Sequence, residues 1–132
     1  MGPDRKDRLA AFVALLKSEG RHSVLGLDCG RGAEGLLFVR AGIRFTGVDP
    51  SVENIHAACS RGLEASVASP AALPFAAAAF PAAWAPDALA NLAPEERDDV
   101  IHELWRVTAP AAPIAVVLPG PGEGFVVLRS PG

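Results

Sequence analysis

The residues best suited to chemistry are a run of glycines and an acid downstream of it. Gly30-Arg31-Gly32-Ala33-Glu34-Gly35 lies between an apolar run at 23–28, which reads as a strand, and a helix-compatible run at 33–41. Glycine at such a junction lets the backbone turn tightly and lets a ligand approach with no side chain in the way. Asp49 ends the next apolar run, 44–49, where a carboxylate can accept hydrogen bonds from both ribose hydroxyls of a nucleoside. Together they outline a nucleoside pocket at the carboxyl edge of a parallel sheet. Glycines and an acid at strand ends can also serve only turns and caps, and it is the pairing of the two that favours a ligand site. The spacing also fits a dinucleotide fingerprint. A nicotinamide-dependent oxidoreductase, however, usually needs a second half for its substrate, and the remaining residues offer neither a second glycine turn nor a catalytic His and Lys pair.

Other reactive side chains carry weaker signals. His56 and Cys59 share a helical face, and His22 and Cys29 flank the first strand, but four well-spaced metal ligands are not evident and no metal is expected. The hydrolase elbow GxSxG is missing. Trp84 and Trp105 occupy apolar positions of their elements, which predicts core packing, and His102 reads as an exposed, idle imidazole. Asp87, after an apolar run at 82–87, is the polar candidate for handling an acceptor proton.

The elements that must position these groups alternate. Leu9, Phe12, Val13 and Leu16 recur at helical spacing, predicting an amphipathic helix over 4–19 that Gly20 stops. Strands are predicted at 23–28, 44–49, 63–68 (the weakest), 82–87 and 114–119, with helices at 33–41, from Ser51 to Gly62, and from Pro94 past Arg106. Such alternation predicts an α/β fold with an open, mostly parallel sheet and helices on both faces. A last strand at 124–129 is expected to return antiparallel across the turn at 119–124. Residues 71–83, rich in alanine and bounded by prolines, show no clear periodicity.

At 132 residues the chain is expected to form one domain spanning 1–132. A formal net charge of −3 gives no attraction to phosphate backbones, so nucleic acid is not an expected partner. The apolar stretches are too short to span a bilayer, no secretory pattern opens the chain, and two cysteines suit a reducing compartment, so no membrane association and a cytoplasmic location are expected.

Four ordered segments carry a more specific signal: VLGLDCGRG at 24–32, GVDPS at 47–51, ASPAALPFAAAAFP at 68–81 and ELWRVTAPAAP at 103–113. In order and spacing they resemble the class I S-adenosylmethionine-dependent methyltransferases, in particular the small-molecule, type 11-like group. The resemblance implies a Rossmann-like methyltransferase sheet, shortened after the fifth strand with one antiparallel closing strand, and S-adenosylmethionine as cofactor. It implies that Asp28, Cys29, Gly30, Arg31 and Gly32 border the methionine moiety, Asp49 and Pro50 the ribose, and Ser69 and Pro70 the adenine edge. Ala85 to Asp87 would face the sulfonium and the acceptor.

The chain departs from the family pattern at named positions. Gly26 stands where the family commonly has Asp, Asp28 where it has the first Gly, Ser69 where an acid accepts from adenine, and Pro81 where the family has Asp. Each lost charged acceptor removes about 1 to 3 kcal/mol of binding. The expected function is methyl transfer to an unidentified small-molecule acceptor. The alternative is a catalytically inactive methyltransferase-like subunit that binds or regulates a partner. A shortened sheet edge would suit a homodimer or heteromer.

Overall fold

A computed structural model describes residues 3–121 and 124–131. The elements follow the alternation: α1 (Arg5–Ser18), β1 (Ser23–Leu27), α2 (Ala33–Arg40), β2 (Arg44–Asp49), α3 (Val52–Ser60), β3 (Glu64–Val67), β4 (Ala83–Ala85), α4 (Pro94–Val107), β5 (Pro113–Val117) and β6 (Phe125–Arg129). Local chemistry sets their ends. Asp4 caps α1 by accepting from the Asp7 amide at 2.8 Å, Ser51 caps α3 by accepting from Asn54, and Glu96 reaches back to the Ala93 amide in front of Pro94.

The strands form one sheet in the order β3-β2-β1-β4-β5-β6, parallel throughout except for β6, which runs antiparallel to β5. The expected open, mostly parallel α/β sheet with an antiparallel closing strand is therefore present. The chain order reverses between β1 and β4, so a crevice opens there at the carboxyl ends of the strands. Among the described residues no helix separates β5 from β6. Part of the expected turn, residues 122 and 123, lies outside the described residues.

Alternation along the strands divides the core into two layers. Leu25, Leu27, Ala83, Ala85, Ile114 and Val116 meet Val100, Leu104 and Val107 of α4 on one face, and Val24, Trp84 and Ala115 meet α1, α2 and α3 on the other. Phe45 fills a hole made by glycines. A Cβ added at Gly26, Gly35 or Gly47 would come within 2.5, 2.7 or 2.8 Å of its ring.

One expectation needs correction. Trp105 is not a core residue: the buried positions of α4 are Val100, Leu104 and Val107, and Trp105 lies off that stripe, 38% exposed and beside His102. The aperiodic stretch, read without an element of its own, is an irregular loop up to β4. Arg106 donates to the carbonyls of Phe75 and Leu73, and Glu103 accepts from the Leu73 amide at 2.7 Å, so α4 holds the loop by its backbone. Among the described residues no helix is long and apolar enough to cross a membrane.

Candidate functional site

Three loops meet at the carboxyl edge of the sheet. The first follows β1, where Asp28 has φ 50°, Gly30 φ 58° and Gly32 φ 95°. The left-handed region suits glycine and costs a residue with a Cβ roughly 1 kcal/mol. A Cβ at Gly30 would meet nothing within 4 Å, so the space above it is open to a ligand, whereas one at Gly32 would strike Leu63. Gly30 thus serves access, and Gly32 serves packing.

Asp49 ties this turn to the loop after β2. It is buried, and its oxygens accept from the Gly30 amide and the Ser51 amide, both at 2.9 Å, and from Asn54 Nδ2 at 3.4 Å. The acid read from sequence as a ribose acceptor is therefore also the latch that shapes the glycine turn.

Asp28 differs in every respect. It is half-buried, makes no hydrogen bond or ion pair among the described residues, and its carboxyl is held above the ordinary range by burial first and then by the charges of Asp49 and Asp87. The Phe45 ring leaves no room for a side chain at Gly26 within β1, which accounts for the glycine there but not for the acid at 28. Cys29 packs beside Gly47, and burial, followed by the charge of Asp49, pushes its thiol up to about 11, so it is not a nucleophile at neutral pH. Arg31 is exposed and makes no polar contact among the described residues.

Two adjoining clefts follow the edge. One, about 470 Å³, is lined by Asp28, Pro50, Ser69 and Pro70, together with Ala88, Glu96 and Asp99. The other, about 460 Å³, opens over β4 and β5 between Asp87, Asn91 and Arg97. They share Ala90 and Leu92, and both have the size of small-ligand sites. Ser69 Oγ accepts from the Ala71 amide at 3.1 Å, which leaves its hydroxyl hydrogen free for a ligand. Ala85 is fully buried in the core and lines neither cleft.

Sequence reasoning missed Arg5. From the first turn of α1 it bridges two carboxylates, with Nε and Nη2 on Glu34 at 2.7 and 2.9 Å and Nη1 and Nη2 on Asp87 at 3.1 and 3.0 Å. Glu34 also accepts from Trp84 Nε1 at 3.0 Å. Burial alone would lower the Arg5 guanidinium, but its hydrogen bonds to Asp87 and Glu34 outweigh this and hold it above its ordinary value. The only sequence signal was a basic residue in a helix's first turn, where the dipole disfavours it. Among the described residues no group of His, Cys, Asp and Glu is arranged to hold a metal ion.

The glycine turn, the acid after β2 and the crevice at the strand reversal lie within residues 24–111, which match a family model described as a methyltransferase domain. The chain belongs to this methyltransferase family. No curated protein matches it. Among solved structures, the family fold recurs in an S-adenosylmethionine-dependent methyltransferase from Methanosarcina mazei, with 26% identity, a TM-score of 0.68, and coverage of 71% of this chain and 50% of that one. The PH0226 protein of Pyrococcus horikoshii is similar, with 27% identity, a TM-score of 0.71, and coverage of 87% and 58%. So is the [4+2]-cyclase SpnF, with 30% identity, a TM-score of 0.70, and coverage of 83% and 43%. The chain spans about half the length of the solved structures it matches.

Proposed function

We propose that this domain binds S-adenosylmethionine at the carboxyl edge of β1 and β2 and supports methyl transfer to a small-molecule acceptor in the adjoining cleft over β4 and β5. The observation that carries the reading is the open space above Gly30 together with the cleft lined by Asp28, Pro50, Ser69 and Pro70, both within the segment that matches the methyltransferase family. The clefts fit the group: a nucleoside can lie between Pro50 and Pro70, and an unpartnered carboxylate is available for its positive charge.

The cofactor supplies an electrophilic methyl on a sulfonium, and the protein's part is alignment and exclusion of water. In this reading the Gly30 to Gly32 turn, with Cys29 and Arg31 on it, borders the amino-acid moiety. Asp49 has lone-pair capacity left for a ribose hydroxyl beyond its backbone contacts, and Ser69 with Pro70 faces adenine. Ala85 contributes backbone only. Asp87, held by Arg5, orients an acceptor.

A second reading has support of its own. Asp87 is paired with Arg5, and one neighbour is described as a [4+2]-cyclase rather than a methyltransferase. In this second reading the domain is an inactive subunit that completes or regulates a partner, with β6 offering the sheet edge for a second copy or another protein. The cytoplasmic location, too, remains a proposal.

Calorimetric titration with S-adenosylmethionine and S-adenosylhomocysteine, with a nicotinamide dinucleotide as control, tests the first reading. Micromolar binding of the sulfur compounds alone, lost in a folded Asp49→Ala variant, supports it. A folded protein that binds neither leaves only the partner-binding reading.

A further inference from the structure

We propose that Asp28 makes the site selective for positive charge, so that it holds the sulfonium cofactor in preference to the neutral thioether product. The inference rests on the cofactor reading above and adds a specificity-determining residue to it.

Asp28 earns no structural explanation where it stands. A carboxylate held in the left-handed region and half out of water, with no hydrogen bond or ion pair among the described residues, is a net cost to the fold, and glycine would serve the turn better. The neighbouring acids are accounted for. Asp49 is satisfied by two backbone amides and Asn54, and Asp87 shares Arg5 with Glu34. Those amides are dipoles rather than cations, and one guanidinium is divided between two carboxylates, so neither neighbouring acid has a full cation of its own. No Lys or Arg lines the cleft into which Asp28 faces, while Glu96 and Asp99 also line it.

A ligand in that cleft lowers its energy by bringing positive charge toward Asp28, in surroundings where partial burial weakens screening by water and salt. S-adenosylmethionine and S-adenosylhomocysteine share adenosine, ammonium and carboxylate groups and differ by one methyl and one positive charge. Among the described residues of the glycine turn, Asp28 is the unpaired carboxylate that lines this cleft, whereas Arg31, the unpaired cation of the same turn, is exposed and lines neither cleft.

The test is calorimetric titration at low salt and neutral pH with S-adenosylmethionine, S-adenosylhomocysteine and sinefungin, which carries an ammonium in place of the sulfonium. The expected result is that both cationic compounds bind about tenfold or more tightly than the thioether. In Asp28→Asn, which keeps the side-chain shape and tolerates the left-handed backbone, and in Asp28→Gly, the ratio should fall to about one while thioether binding persists. A thioether that binds the natural protein as tightly as the sulfonium, or a preference that survives in both variants, overturns the role of Asp28 alone. Failure of all three compounds to bind the folded protein overturns the cofactor reading with it.

Discussion

The ends of β1 and β2 lie side by side in the sheet, and each carries one aspartate, yet the two are built on opposite terms. Asp49 is 6% exposed, in ordinary extended backbone at the close of its strand, and it accepts three hydrogen bonds that join two loops. Asp28 is half-buried in a left-handed turn and accepts none among the described residues. The contrast separates an acid that makes the site from an acid that waits for something to enter it. Burial in itself is not the burden for Asp49, because three donors stand in place of lost water contacts. For Asp28 even partial burial is a burden.

The largest test of this contrast is to break the latch. Asp49→Ala leaves the Gly30 and Ser51 amides without their partner, and we expect a loss of about 3 kcal/mol in urea denaturation, together with loss of binding. An unchanged midpoint would show that the glycine turn holds its shape without the latch. Next in size is Gly26→Ala, which pushes a methyl into the Phe45 ring and should cost about 2 kcal/mol in thermal melts. Combining it with Phe45→Leu should recover part of that loss, since it opens the space the methyl needs.

Asp28→Gly should act in the other direction, raising stability by about 1 kcal/mol at neutral pH through relief of backbone strain and removal of an unpaired charge. The sign of its pH dependence follows from the raised carboxyl. Between the unfolded and the higher folded value the native state holds more protons, so this group's contribution to stability falls as pH rises through that window. The advantage of the glycine variant should therefore shrink as the solution is acidified, which urea melts at neutral and mildly acidic pH can follow. The smallest effect belongs to Arg5→Met. The Arg5 side chain is 41% exposed and the Asp87 side chain 58%, so screening by solvent limits the loss to below about 1 kcal/mol. The change should still register as faster amide exchange in the first turn of α1 and as a shift in Trp84 fluorescence, because Glu34 loses its anchor.

Much of this was legible in the sequence where a single local rule decides the outcome. Gly20 and Gly62 stop helices, Ser51 and Pro94 start them, and apolar runs ending in glycine or Asp49 mark buried parallel strands. The cleft is lined by Asp28, Pro50, Ser69 and Pro70, four of the residues that the family resemblance implied, while Cys29, Gly30, Arg31, Gly32, Asp49 and Ala85 are not among its lining residues. What escaped depends on which residues meet across the fold. Arg5 and Asp87 are 82 positions apart, and nothing in either neighbourhood announces the pairing. The exchange of Gly26 and Asp28 looked like erosion of a motif until Phe45 showed that a glycine at 26 is a packing requirement. Trp105 was misplaced because hydrophobicity alone does not say on which side of the stripe a residue falls. The loop leading to β4 has no period to read, since Arg106 and Glu103 hold its backbone and only scattered side chains, such as Leu73 and Phe80, reach the core.

The central claim, that the carboxyl edge of β1 and β2 receives S-adenosylmethionine, is tested most directly by amide NMR shifts on addition of the cofactor. The account predicts changes centred on Gly30, Gly32, Ser51 and Ala71, with smaller ones around Ala88 to Leu92. Changes confined to the apolar groove between α1 and β6, around Phe12, Leu15 and Val127, or no changes at saturating cofactor, would contradict it.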